Sequence, residues 1–398
     1  MNALFFRLLF FAILVGSVTI NAQTPLGEKN RITPGAYQMN EYLPILKNRK
    51  VGYVGNQASM VGQRNTLDTL VSRGVKIVKI FSAEHGFRGD AADGKLIRNT
   101  IDKQTGIPIV SLYADYKKPC KEDLQGINVI VFDLQDVGCR FYTYISTLSY
   151  LMKSCAENQV GIIILDRPNP NGYYIDGPVL QSRYSSFVGL YQIPVVYGMT
   201  IGEYATMINE EHWLGENLKC GLRVIQCKNY SHANRYQLPV PPSPNLKSMA
   251  SVYLYPTLCF FEGTIVSVGR GTDHPFEVIG HPDYLDGDYT FTPESIQGVS
   301  DNPPLLGQVC HGLNLLNKAD IMKQNGQIDL TLIIKVYNEL KSKGKFFTPY
   351  FDKLAGTDQL RIQIEKGMSE NEIRQSWKED LAKFMKIRNK YLLYPDNQ

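Results

Sequence analysis

Recognisable metal and redox motifs are missing from this sequence. Its six histidines and seven cysteines form no CxxC, no Cys/His ligand spacing and no His-x-x-x-His, which leaves little basis for a zinc site. A nucleotide loop is missing too. Ser267-Val268-Gly269-Arg270-Gly271-Thr272 lacks the Lys-Ser/Thr of a phosphate loop and the strand–GxGxxG–helix setting of a dinucleotide site, so no cofactor is expected. Lysine and arginine are scattered and the formal charge is only +4, which argues against a nucleic-acid partner. Beyond the first residues no run is long and apolar enough to cross a bilayer. Internal repeats and low-complexity tracts are also absent.

Cysteine is sparse and odd in number, at positions 120, 139, 155, 220, 227, 259 and 310, so at least one thiol stays free in a monomer. Cys139, Cys155 and Cys259 lie in apolar or helical contexts and are expected to be buried. Cys220 and Cys227 flank a strand-like segment and are candidates to pair.

The first 22 residues have the form of an export signal. Arg7 interrupts an apolar run from Leu4 to Val15, small and polar residues follow, and Ala22 precedes Gln23 at a plausible cleavage point. Gly16, Ser17 and Thr19 cut the run short for a transmembrane anchor, and no cysteine follows it for lipid attachment. The mature chain is therefore expected in the periplasm or outside the cell, without stable membrane insertion. Loss of Arg7 takes the formal charge from +4 to +3. What remains is long enough for two domains, and 43% hydrophobic residues can fill their cores.

From Lys50 to about Pro168, short apolar runs alternate with amphipathic stretches. The runs are Val51–Gly55, Val75–Phe81, Ile107–Leu112, Asn128–Leu134 and Gly161–Leu165. Helices are expected at Asn65–Ser72 and Tyr144–Glu157; in the second, Ile145, Leu148, Leu151, Met152 and Cys155 recur at helical spacing. Nearly continuous apolar strands between helices are what a parallel sheet covered on both faces requires, so a Rossmann-like or flavodoxin-like α/β layout is expected. Further on, Thr200-x-x-Glu203 has the form of a capping box. A strand follows at Leu222–Cys227, then a proline-punctuated boundary near residue 240, and helices near Asp329–Lys341 and Glu370–Leu392.

In an open parallel sheet, ligands bind beyond the carboxyl ends of the strands. Here those ends carry Asn56-Gln57, Glu84-His85-Gly86, Asp133-Leu134-Gln135-Asp136 and Asp166-Arg167. Gly86 permits a turn closed to other residues and can aim Glu84 and His85 inward. A half-desolvated Glu84 would have its pKa raised and could act as a general acid; the competing reading is a solvated strand-end glutamate beside a hydrogen-bonded histidine. Asp133, Gln135 and Asp136 could bind sugar hydroxyls or hold Arg140, or could form an ion-pair network at the sheet edge. In the second half, Asn245 sits on a stiff proline loop, Glu262 stands beside Gly263, and Arg270 between two glycines suits an anionic ligand.

Several blocks resemble one family. They are Asn56-Gln57-Ala58-Ser59, Phe81 to Gly89 around Glu84-His85-Gly86, Phe132 to Gly138, and Arg140-Phe141-Tyr142-Thr143-Tyr144. The series continues with Asp166 to Pro170, Tyr197 to Glu203, Pro242-Ser243-Pro244-Asn245 and Phe261 to Phe276. In that order they resemble the NamZ-type exo-β-N-acetylmuramidases. The resemblance implies a Rossmann-like domain (residues 23–240) joined to a smaller α+β domain (241–398), with the site in the cleft between them. It implies release of terminal β-1,4-linked N-acetylmuramic acid from peptidoglycan fragments, with Glu84 as the catalytic candidate. Glycoside hydrolysis asks for a partner to the acid, and Glu262, Glu203, Asp133 or the substrate's own N-acetyl group are candidates. Arg270 and Arg140 are the candidate readers of the lactyl carboxylate. Two other readings stay open: an envelope protein that binds muropeptides or sugars without cutting them, and a metal-dependent hydrolase using His85 with Asp133 or Asp136.

Overall fold

The computed structural model describes residues 31–84, 86–88 and 100–396. The expected export signal and His85 lie outside these residues. Helix α1 (Met39–Leu46) leads into β1 (Val51–Gly55), a small hairpin of β2 (Met60–Val61) and β3 (Arg64–Asn65), and α2 (Thr66–Ser72). Then come β4 (Ile77–Ser82), β5 (Thr100–Ile101), β6 (Pro108–Ser111), α3 (Lys121–Leu124), β7 (Val129–Asp133) and α4 (Tyr144–Glu157). Strand β8 (Gly161–Leu165), α5 (Ile201–Glu210) and β9 (Leu222–Ile225) complete the first half.

Seven of these strands form one sheet in the order β5-β6-β4-β1-β7-β8-β9. All neighbours run parallel except β5, which is antiparallel to β6. Taken in chain order, the six parallel strands lie as 3-2-1-4-5-6, the doubly wound Rossmann order, with its switch point between β1 and β7. Successive side chains of a strand point to opposite faces, and both faces are covered here. Phe81, Ile130, Phe132, Ile162 and Ile164 meet Ile145, Leu148, Leu151 and Met152 of α4 on one side. Tyr53, Ile80, Val129, Val131 and Ile163 meet Tyr42, Leu46, Leu67 and Leu70 of α1 and α2 on the other. Two-sided burial is the reason these strands read as unbroken apolar runs. Fully burying a residue such as Leu148 is worth about 1.5–3 kcal/mol, so α4 owes its place to its apolar face. The Thr200–Glu203 capping box forms at the start of α5, with both reciprocal hydrogen bonds present.

The second half begins with α6 (Met249–Leu258), which runs straight into a 3-10 turn at Cys259–Gly263. A three-stranded antiparallel sheet of β10 (Val278–His281), β11 (Tyr289–Phe291) and β12 (Cys310–Asn314) follows, in the order β10-β12-β11. Five helices close the chain: α7 (Leu316–Asn325), α8 (Leu330–Leu340), α9 (Pro349–Ala355), α10 (Gln359–Glu365) and α11 (Glu370–Arg388). All seven cysteines are free, and Cys139, Cys155 and Cys259 are buried as expected. The Cys220–Cys227 pair does not form. Cys220 lies beside Cys155, whereas the Cys227 thiol donates to the Asp166 carbonyl. No helix among the described residues is long and apolar enough to cross a membrane.

Candidate active site

Glu84 stands just past the carboxyl end of β4, one strand from the switch point. Gly86 has the left-handed φ of 77° expected of it, and its N–H donates to the Ala83 carbonyl at 3.3 Å. This tight turn presents Glu84 half-buried at the mouth of a cleft. Thr143, the residue before α4, donates its hydroxyl to Glu84 Oε2 at 3.1 Å. Thr143 occupies the N-cap position but makes no side-chain cap, because that hydroxyl reaches across to the carboxylate. The N-terminal end of α4 thus adjoins the Glu84 carboxyl group.

The cleft has a volume of about 400 Å³ including its open mouth. Glu84, Thr143, Ser243, Asn245 and Arg270 supply its polar lining, and Phe141, Tyr142, Tyr144, Tyr255 and Phe276 its aromatic wall. The wall is locked edge to face: Tyr142 meets Tyr144 at 4.7 Å, and Tyr255 meets Phe276 at 4.9 Å between ring centres. The Pro242 carbonyl accepts from the Tyr142 hydroxyl at 3.0 Å and from Gln57 Nε2 at 3.3 Å, tying three loops together. Burial, then the charge of Glu84, pushes up the pKa of the Tyr144 hydroxyl, which stays a neutral hydrogen-bonding group. Arg270 donates from Nε to Glu262 Oε1 at 2.5 Å, so the second glutamate stands beside a residue of the cleft lining. The Arg270 guanidinium also lies 5.0 Å from the centre of the Phe276 ring.

The other expected site residues are elsewhere. Asn56 is fully buried behind the wall, where it donates to the Tyr144 hydroxyl at 2.8 Å. Asp133 is fully buried in an ion pair with Arg167, at 2.6 and 3.1 Å, and also accepts from the Tyr53 hydroxyl at 3.2 Å. Gln135 donates to the carbonyls of Asp136 and Pro168. Asp136 accepts from the Gly138 N–H at 2.7 Å and from the Tyr197 hydroxyl, and burial pushes its pKa up to about 7. For this stretch the ion-pair and scaffold reading replaces the sugar-binding one, since none of these groups reaches the cleft lining.

Arg140 needs the same correction. It has no exposed surface and donates to the carbonyls of Pro178, Ile193, Leu354 and Ala355 at 2.7–3.0 Å. It is a clamp on the C-terminal end of α9, and no lactyl carboxylate can reach it. Gly356 makes that approach possible, because a Cβ there would lie 2.7 Å from the guanidinium. Glu203 is likewise removed as the acid's partner. Its carboxylate is buried among the Thr200 N–H, the His232 ring and the Leu393 N–H. Thr143 and the Tyr142–Tyr144 wall were missed as site residues. Their signals were the Arg140–Tyr144 block of the resemblance and its aromatic run at the start of a strongly periodic helix.

Cleaving the bond between two sugars asks for an acid at the leaving oxygen and a second group at the anomeric carbon. Glu84 brings a carboxyl group to an aromatic-walled cleft at the switch-point end of the sheet, with Glu262 paired to the Arg270 of its lining, and the class this fits is a glycoside hydrolase. Comparison with known proteins narrows it. Residues 51–250 match the N-terminal model of exo-beta-N-acetylmuramidase NamZ and residues 253–394 match its C-terminal model, so the chain belongs to the NamZ family. It is 35% identical over 406 residues, 97% of each chain, to the peptidoglycan beta-N-acetylmuramidase NamZ of Bacillus subtilis. Among solved structures it is similar to two DUF1343 family proteins of Bacteroides fragilis. One is 47% identical with a TM-score of 0.85, the other 27% identical with a TM-score of 0.78. Each match covers 92% of this chain and 100% of the other.

Proposed function

We propose that this cleft releases N-acetylmuramic acid from the non-reducing ends of peptidoglycan fragments, with Glu84 as the general acid. The chain is a glycoside hydrolase by family, and one observation carries the assignment of roles. Glu84, held by Thr143, shares its cleft with Arg270, whose partner is Glu262, whereas Asp133 and Glu203 are buried in other networks. Glu84 gives its proton to the leaving glycosidic oxygen. Glu262 serves the anomeric side, either by activating water or by orienting the substrate's acetamido group. Arg270 takes the lactyl carboxylate through charge-assisted hydrogen bonds. Asn245 contributes its amide to the sugar hydroxyls.

The proposed division at residues 240 and 241 gives each part a share of the cleft. Glu84 and Thr143 come from residues 23–240, while Asn245, Glu262 and Arg270 come from 241–398. We also place the mature protein in the periplasm or outside the cell, because residues 1–22 have the form of an export signal and peptidoglycan is found there. The test is to digest purified peptidoglycan fragments and follow the products by mass spectrometry. Free N-acetylmuramic acid appearing from the first time point supports the reading. Unchanged fragments, bound but not cut, would move the protein to the sugar-binding class.

A further inference from the structure

One tyrosine outside both the sequence blocks and the cleft lining stands beside the turn that holds Glu262. Tyr350 is the second residue of α9, and the residue is 39% exposed. Its backbone is pinned beside Glu262. The Thr348 N–H donates to the Gly263 carbonyl at 2.9 Å, and the Tyr350 N–H donates to Thr348 Oγ1 at 3.3 Å. The neighbouring Phe351 packs so closely on Gly263 that a Cβ there would lie 2.4 Å from its Cα. From the far end of α9, Arg140 holds the carbonyls of Leu354 and Ala355, so the helix cannot drift from the cleft.

The tyrosines of the inner wall differ from it. Tyr142 and Tyr144 are buried, and their hydroxyls are engaged with Pro242 and Asn56. The Tyr350 hydroxyl makes no hydrogen bond to any described residue, though it lies within the fields of Glu262, Glu84 and Arg270. Burial of that end and the two carboxylates keep it a neutral donor. A partly exposed ring beside the turn that holds Glu262, with a hydroxyl that makes no hydrogen bond to any described residue, suits a pyranose, which offers a C–H face ringed by oxygens.

We propose that Tyr350 contacts the substrate directly, its ring packing on the apolar face of the terminal sugar and its hydroxyl donating to one of that sugar's oxygens. This rests on the function proposed above, and the experiment separates the two. Kinetics of wild type, Tyr350→Phe and Tyr350→Ala are measured on an aryl β-N-acetylmuramide, beside calorimetric titration of each with N-acetylmuramic acid. Loss of one neutral hydrogen bond corresponds to roughly a 2- to 10-fold fall in kcat/KM for Tyr350→Phe, carried mainly by KM. Loss of the ring as well should make Tyr350→Ala at least tenfold worse again, with the phenylalanine variant intermediate and sugar affinity falling in the same order. An unchanged melting temperature in both variants checks that the exposed side chain is not a fold determinant.

If wild type is active and both variants stay within twofold of it in kcat/KM and affinity, the inference is overturned and the function stands. If wild type cuts no muramide, the proposed function fails. The titration then decides Tyr350 alone: weaker sugar binding by Tyr350→Ala supports the contact, and unaltered or undetectable binding overturns it.

Discussion

The Thr143 hydroxyl donates to Glu84 at 3.1 Å instead of capping the helix it begins. A helix start without its usual cap is less stable by about 1 kcal/mol, so the hydrogen bond to Glu84 replaces a local gain with a functional one. Thr143→Ala should therefore leave stability almost unchanged while lowering kcat about 5- to 10-fold, the worth of one hydrogen bond that orients the acid. Steady-state kinetics and a thermal melt of the same preparation check it. A normal kcat with a lowered melting temperature would mean that Thr143 serves the helix alone.

Arg270 carries the proposed specificity. Charge-assisted hydrogen bonds to a carboxylate are worth about 1.5–3 kcal/mol, so Arg270→Ala should weaken inhibition by N-acetylmuramic acid roughly 10- to 100-fold. Inhibition by N-acetylglucosamine, which lacks the lactyl group, should change far less. Equal loss for both sugars would make Arg270 a support for Glu262 and leave the lactyl group without this reader.

The buried Asp133–Arg167 pair ties the carboxyl ends of β7 and β8, and Arg167 also reaches the Met60 carbonyl in the hairpin after β1. Removing one member leaves an uncompensated buried charge, at a cost of about 3–5 kcal/mol. Asp133→Ala is expected to lower the urea midpoint sharply and to lose activity only in proportion to unfolding. Full stability with selective loss of turnover would return Asp133 to the list of catalytic partners.

These residues show what could be read in advance. β1, β8 and α4 lie where their apolar runs placed them, because two-faced burial and helical spacing are local properties of the chain. The strand-end rule pointed to Glu84, which lines the cleft. It also led to Asp133, Gln135 and Asp136, and there it misled, since a polar group at a strand end can turn inward to a partner as readily as outward to a ligand. Asp133 finds Arg167 34 positions away, and Arg140 finds the carbonyls of Leu354 and Ala355 more than 200 positions away. No local pattern encodes such meetings. The place of Tyr350 beside Glu262 depends in the same way on α9 docking against the turn that holds Glu262.

Asp136 predicts a pH dependence of stability. Burial raises its pKa to about 7 in the folded protein, against about 3.9 in the unfolded chain. The folded state therefore binds the proton more tightly, and this group's contribution is complete below about pH 4 and lost as pH rises through about 7. Asp166, raised by burial to about 6, acts in the same direction. Asp136→Asn keeps an acceptor for Gly138 and Tyr197 and removes the titration. Its urea midpoint should fall less than that of wild type between pH 5 and 8, and parallel curves for the two proteins would show that Asp136 does not titrate in this window.

The central claim is that Glu84 is the acid of a muramic-acid-specific glycosidase. The direct measurement is release of chromophore from an aryl β-N-acetylmuramide and from the matching β-N-acetylglucosaminide, by wild type and Glu84→Gln side by side. The account predicts turnover of the muramide by wild type, little or none of the glucosaminide, and loss of at least a thousandfold in Glu84→Gln with N-acetylmuramic acid still bound. The aryl leaving group must be one that needs protonation, such as an alkyl-substituted phenol, because a very good leaving group departs without an acid. Turnover by Glu84→Gln at a rate near that of wild type would contradict the assignment.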